Sequence, residues 1–279
     1  MLIEANKLIK LYIDKEWKKN IVILDASWYL PNAKREPIKE FKDAHLPDAL
    51  YFDIDQVSDT SSNLPHTIPT KNQFEFNMPK LGMNNDSHVI IYSMDGIGTS
   101  PRAWWLFRLY KHKNVSVLNG GMKAWKALNG PINNKITKIY KSNYMASIDH
   151  NILAKYEDIK NLYNNKDYQI VDARSFGRFA GKEEEPRPGL QKGHIPHSIN
   201  IPFNLLINDH GYLIDKDEII EILNKYNFSF EKIIISSCGS GVTACVLAFV
   251  LELIGKKNWK VYDGSWSEWG QKGNELIEV

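Results

Sequence analysis

The chain predicts an α/β fold written twice, each copy a central parallel sheet flanked by helices. Three observations carry that expectation. Segments of the first half recur in the second in the same order. Within each copy, short β-branched runs alternate with helical stretches. The runs are almost continuously apolar, as strands are when a parallel sheet is covered on both faces.

The repeats can be read directly. IVILDAS (21–27) returns as YQIVDAR (168–174), and FKDAHLPDALYFDI (41–54) as LQKGHIPHSINIPF (190–203). HVIIYSMDGIG (88–98) returns as KIIISSCGSG (232–241), and VSVLNGGMKAW (115–125) as WKVYDGSWSEW (259–269). The offset stays between 143 and 149 residues, which implies a duplicated domain rather than a solenoid. In the second copy, strands are expected over 168–174, 199–203, 232–237 and 259–262. Helices are expected over 155–164, 216–226, 242–254 and 265–270. Residues 131–151 are polar, rich in Asn and Lys, and lack periodicity. A first domain over 1–135, a linker over 136–151 and a second domain over 152–279 are therefore expected.

Composition narrows the function. The 279 residues carry 43% hydrophobic and 24% charged side chains, as in soluble globular proteins. A formal net charge of +2 gives no reason to expect a nucleic-acid partner. The longest apolar stretch, ACVLAFVLELI (244–254), is 11 residues with Glu252 inside, too short to span a bilayer. MLIEANKLIKLYIDKEW at the start has an early acid and no unbroken apolar run, unlike a secretory signal. Two cysteines make no disulfide framework, so a reduced, cytoplasmic setting is expected.

Both cysteines fall in IIISSCGSGVTACVLAFVLELIG (233–255), where a buried strand enters a glycine-bearing turn and then a helix. Ligands of open α/β sheets bind beyond the carboxyl ends of the strands, and Cys238 is at such an end. Gly239, Ser240, Gly241, Val242 and Thr243 form the turn, whose backbone N–H groups can converge as an anion nest. The helix N-terminus adds positive potential behind them. A thiol at this place is favoured as thiolate, and the nest would hold an anionic persulfide. The residues alone leave two readings of Cys238: this nucleophile, or a small buried hydrophobe. Cys245, inside an apolar helix, reads as core packing. No C-x-x-C or histidine cluster suggests a metal. A cysteine-dependent phosphatase needs an arginine six positions after the cysteine, but Ala244 is there, which disfavours phosphoryl chemistry. In the first copy Asp95 stands opposite the thiol, so that copy is expected to lack a nucleophile.

CGSGVTA (238–244), DARSFGRFAGKEEEPRPGLQKGHIPHSIN (172–200), VYDGSWSEWG (261–270) and FDIDQVSD (52–59) together resemble the tandem rhodanese sulfurtransferases. The Cys-Gly-Ser-Gly-Val-Thr turn resembles the branch of that family that uses 3-mercaptopyruvate. Thiosulfate-preferring members tend to carry basic side chains inside the turn, and this one has none.

The resemblance implies sulfur transfer through a Cys238 persulfide, with pyruvate released and a thiol, thioredoxin or cyanide as acceptor. It implies no metal or organic cofactor. It assigns Arg178 and Arg187 to the donor's carboxylate and carbonyl, a task for which the planar guanidinium fork is fitted. Read without it, both are arginines of a charged loop beside Glu183, Glu184 and Glu185. It groups Ser240 with Asp55 and His66 from the first copy; by itself His66 is a loop histidine next to Pro65. Arg174 reads as structural, pairing with a carboxylate of its own domain. His45 and His194 recur in both copies and read as turn-stabilising; Trp125 and Trp269 read as core anchors. Asp263, with Asn119 as counterpart, is placed to tie down a loop after the last strand. Thiosulfate sulfurtransferase and a non-catalytic persulfide carrier are the alternative functions.

Overall fold

The computed structural model describes residues 1–18, 20–274 and 276–279. The chain divides into two compact units.

The first unit comprises Met1–Asp59, Pro69–Ile148 and Ile207–Leu213. Its elements are β1 (Leu2–Ile3), α1 (Ala5–Ile13), β2 (Ile21–Asp25), α2 (Pro37–Asp43), β3 (Leu50–Tyr51), α3 (Ile54–Val57), α4 (Lys71–Asn77), β4 (His88–Tyr92), α5 (Ser100–Leu109), β5 (Val115–Leu118) and α6 (Gly121–Ala127). Among the described residues the sheet has five strands, all paired in parallel in the order β1-β5-β4-β2-β3. Pro101 in the first turn of α5 gives up an N–H that no helix end can use and presets the backbone for the helix. Trp104, Trp105 and Phe107 of that helix are fully buried. Trp17 and Trp125 pack with Ile23, Ile90 and Leu118 in one core cluster.

The second unit comprises Thr60–Ile68, Asp149–Leu206 and Ile214–Val279. It contains β6 (Leu153–Ala154), α7 (Tyr156–Leu162), β7 (Tyr168–Asp172), α8 (Phe176–Phe179), β8 (Ile199–Asn200), α9 (Lys216–Lys225), β9 (Ile233–Ser237), α10 (Ala244–Ile254), β10 (Trp259–Tyr262) and α11 (Ser265–Trp269). The parallel order β6-β10-β9-β7-β8 repeats that of the first unit. A capping box between Asp215 and Glu218 starts α9. In α10 every residue from Ala244 to Leu251 is buried, which explains a helix apolar all round.

The expected strands and helices of the second copy are all present, with altered ends. β8 stops at Asn200, two residues before Pro202, which has no N–H for a ladder. α10 begins at Ala244 because Val242 and Thr243 belong to the turn. β6 and α8 escape sequence reading because two and four residues are too few to display a period. Residues 136–148 group with the first unit. There Thr137 Oγ1 donates to the Ala49 carbonyl at 2.8 Å, and the Ala146 N–H donates to Glu75 at 2.7 Å.

Each unit also takes in a short segment of the other repeat. Thr60–Ile68 folds with the second copy, and Ile207–Leu213 with the first. In the first unit the Gly211 carbonyl accepts the Ile97 N–H at 2.9 Å. A Cβ on Gly96 would lie 2.4 Å from Gly211 Cα, so that contact requires glycine.

Strand register corrects one expectation. Asp25 pairs with Tyr92, as Asp172 pairs with Ser237. The residue after β9 is Cys238, whose carbonyl accepts the Trp266 N–H at 3.0 Å. The residue after β4 is Ser93, whose carbonyl accepts the Met122 N–H at 3.0 Å. Ser93, not Asp95, therefore holds the place of the thiol. The glycine pattern aligns Asp95 with Cys238, two positions beyond the residue that strand register matches to the thiol, and the first turn, 93–99, is itself one residue longer than 238–243. Asp95 lies further out and pairs with Arg35. The first copy still carries no thiol at this turn.

Candidate active site

β9 delivers Cys238 to the carboxyl end of the second sheet, in a residue 1% exposed. The start of α11 grips it from behind. The Cys238 N–H donates to Ser265 Oγ at 3.1 Å. The Gly239 carbonyl accepts both the N–H and the hydroxyl of Ser267, at 2.8 and 2.7 Å. Gly241 takes φ +76°, a left-handed conformation in which a side chain is strained. Cys245 Sγ donates to the Gly241 carbonyl at 3.1 Å. The N–H groups of Gly239, Ser240, Val242 and Thr243 donate to no acceptor among the described residues. They are therefore available as donors, as an anion nest would need.

His66 and Ser240 meet here. His66 Nδ1 and Ser240 Oγ share a hydrogen bond of 2.9 Å, and both residues are buried. His66 has φ +60° within the Thr60–Ile68 segment of this unit. That segment bonds to itself: the Leu64 N–H donates to Ser62 Oγ, which lies 2.8 Å from Thr67 Oγ1.

Arg178 lies against the turn, since a Cβ on Gly239 would meet its Nη2 at 2.8 Å. Its guanidinium forks onto Glu185, with contacts of 2.5 and 3.2 Å. Glu185 also binds Arg174 at 2.7 Å. Arg174 is fully buried, chelates Asp172, donates to the Gly193 carbonyl and lies over the Trp266 ring. Burial opposes its charge, but Asp172 and Glu185 outweigh burial and raise its pKa further. Its structural reading holds, and Glu185 is a shared anchor rather than a solvated acid.

Arg187 is half-buried and lines a cavity of about 420 Å³ together with Asn63, Leu64, Pro65, Ser267 and Gln271. Asp55 belongs to the first unit, is exposed, and accepts Trp28 Nε1 at 3.2 Å on both oxygens. Among the described residues no group of three His, Cys, Asp or Glu could hold a metal.

The recurrent residues behave as read. His45 Nδ1 bonds the Leu46 carbonyl and His194 Nδ1 the Phe179 carbonyl, while Trp125 and Trp269 are fully buried. Sequence reading overlooked Ser265 and Ser267. Their signal was their place: small hydroxyl residues directly after a strand-ending Asp-Gly pair.

A duplicated five-stranded α/β unit with a buried cysteine in a nest-forming turn defines a class of cysteine-loop domains. The family profile described as "Rhodanese-like domain" matches residues 5–128 and 155–272. The chain belongs to the rhodanese family. The 3-mercaptopyruvate sulfurtransferase of Homo sapiens is 40% identical over 249 residues, 88% of this chain and 84% of that protein. The thiosulfate sulfurtransferase of Gallus gallus is 38% identical over 259 residues, 92% and 89% of the two chains. The crystal structure of SseA from Escherichia coli, described as a 3-mercaptopyruvate sulfotransferase with the rhodanese fold, superposes with a TM-score of 0.86. It is 34% identical and covers 96% of this chain and 99% of its own.

Proposed function

We propose that this protein is a sulfurtransferase that takes sulfur from 3-mercaptopyruvate onto Cys238 and passes it to a thiol acceptor. The observation that carries the reading is the turn itself: a buried cysteine amid four uncommitted amides, with the His66–Ser240 pair at its centre and Arg178 on its flank.

The Cys238 thiolate attacks the donor's sulfur. A sulfur–sulfur bond forms and the donor's carbon–sulfur bond breaks. The electron pair leaves on carbon as pyruvate enolate, which takes up a proton to give pyruvate. Cys238 is left as a persulfide, which the free amides of the turn stabilise as an anion. An acceptor thiolate (thioredoxin or a small thiol) or cyanide then removes the outer sulfur, completing a ping-pong cycle. Arg178 and Arg187 bind the donor's carboxylate and carbonyl. Ser240 and His66 supply or hold a proton at the reacting groups. The cycle calls for no metal or organic cofactor. The acceptor meets the enzyme in a reducing compartment, the cytoplasm.

Thiosulfate is the second donor to weigh, because relatives named for it are almost as similar. The lack of basic side chains in the turn speaks against it, since the leaving sulfite carries its charge there. Purified protein is incubated with each donor, weighed for a gain of one sulfur, and assayed for turnover. Faster turnover with mercaptopyruvate supports the reading. Preference for thiosulfate replaces the donor, and a persulfide without turnover makes the protein a carrier.

A further inference from the structure

The segment that brings His66 to Ser240 is held at a second point. The Ile68 N–H, two residues beyond His66, donates to Asp263 Oδ2 at 2.8 Å. Asp263 directly follows β10 and is 6% exposed. The first unit contains the same clamp in its own strap. There the Leu213 N–H donates at 3.0 Å to Oδ1 of Asn119, the residue directly following β5. Gly211 stands two residues before Leu213, as His66 stands two before Ile68, and both take positive φ, +84° and +60°.

The two straps thus share a clamp and a left-handed turn, and differ in what the turn delivers. In the first unit a bare glycine carbonyl reaches Ile97. In the second an imidazole reaches Ser240. A non-glycine residue at φ +60° is held against a backbone preference for other conformations. Something must hold the chain on either side of it, and Asp263 supplies that hold on the C-terminal side.

We infer that Asp263 is a positioning residue for the reaction: by binding the Ile68 amide it fixes the strap and thereby places the His66 ring on Ser240. The inference rests on the sulfurtransferase reading. Asn119 doing the same task with a neutral carboxamide gives it a sharp form: the acceptor oxygen matters, and the negative charge does not.

Asp263→Ala removes the acceptor, and Asp263→Asn keeps it. Steady-state kinetics with 3-mercaptopyruvate and hydrogen exchange across residues 60–68 are measured on both full-length variants. Asp263→Ala is expected to lower kcat severalfold, up to about tenfold, the scale of one lost hydrogen bond, with KM nearly unchanged. Its exchange across 60–68 rises, while Asp263→Asn keeps wild-type exchange and kcat. Wild-type kcat in a folded Asp263→Ala enzyme overturns the inference, as does unchanged exchange. An Asp263→Asn enzyme as impaired as Asp263→Ala overturns it too, by showing that the charge acts. If the wild-type protein turns over no sulfur donor, the functional reading fails first. Exchange still decides whether Asp263 fixes the strap.

Discussion

His66 Nδ1 lies 2.9 Å from Ser240 Oγ, although the two residues are 174 positions apart in the chain. Both residues are buried, and Ser240 belongs to the turn that follows Cys238. His66→Ala and Ser240→Ala are expected to lower kcat by at least about tenfold, with smaller effects on KM, because acid–base help acts mainly in the transition state. The double variant should lose little more than either single one. Independent, multiplying losses would show that the two side chains do not act as a unit.

The two cysteines should separate cleanly. Cys238→Ser removes the sulfur acceptor and is expected to end turnover while the protein stays folded. Cys245→Ala leaves the nucleophile in place and costs about 1 kcal/mol through a small cavity beneath the turn. Mass spectrometry after incubation with donor checks both: the sulfur adduct should vanish in the first and persist in the second. Loss of turnover in Cys245→Ala would make it a second redox thiol.

Gly239 leaves room for the tip of Arg178 rather than serving a backbone conformation. A methyl group there would sit 2.8 Å from Arg178 Nη2. Gly239→Ala should push the guanidinium off the turn and raise KM for a carboxylate donor, as Arg178→Lys should by loss of the fork. The expected rise is about tenfold or more, the scale of a charge-assisted hydrogen bond. Unchanged KM values in both variants would remove Arg178 from the substrate site.

Asp25, in the first unit, makes stability depend on pH. Its Oδ1 accepts the N–H and hydroxyl of Ser27, and the Tyr92 hydroxyl is the other polar side chain that acts on it. Burial pushes its pKa up from 3.8 to about 6, partly offset by hydrogen bonds from Ser27 and Tyr92. Between those values the folded state holds a proton that the unfolded chain has released. Stability therefore falls as pH rises from about 4 to about 6, by no more than about 3 kcal/mol from this group. Urea unfolding at several pH values should show that slope, and Asp25→Asn should flatten it. A slope that survives the substitution belongs to another group.

Asp172, at the register position of Asp25 in the second copy, has Arg174 as its partner where Asp25 has Ser27. The two copies thus solve one burial problem in different ways, and a DA-x pattern alone does not reveal which carboxylate is compensated.

Local chemistry made much of the protein legible. The β-branched runs, the repeated order and the all-apolar α10 sequence determine a duplicated α/β fold, because burial on both faces of a parallel sheet leaves no other pattern. The strand–glycine–helix signature likewise places Cys238 in a turn of free amides. What the tertiary structure decided is every contact that skips along the chain. The shift from Asp95 to Ser93 depends on strand register, which counts from the paired strand ends, whereas the glycine spacing matches the turns two positions further on. The delivery of His66 to Ser240, and the hold of Asp263 on Ile68, depend on a segment of one repeat folding with the other. Periodicity and motif report only neighbours in sequence, so neither can register a hydrogen bond whose partners the chain brings together after the sheets have formed.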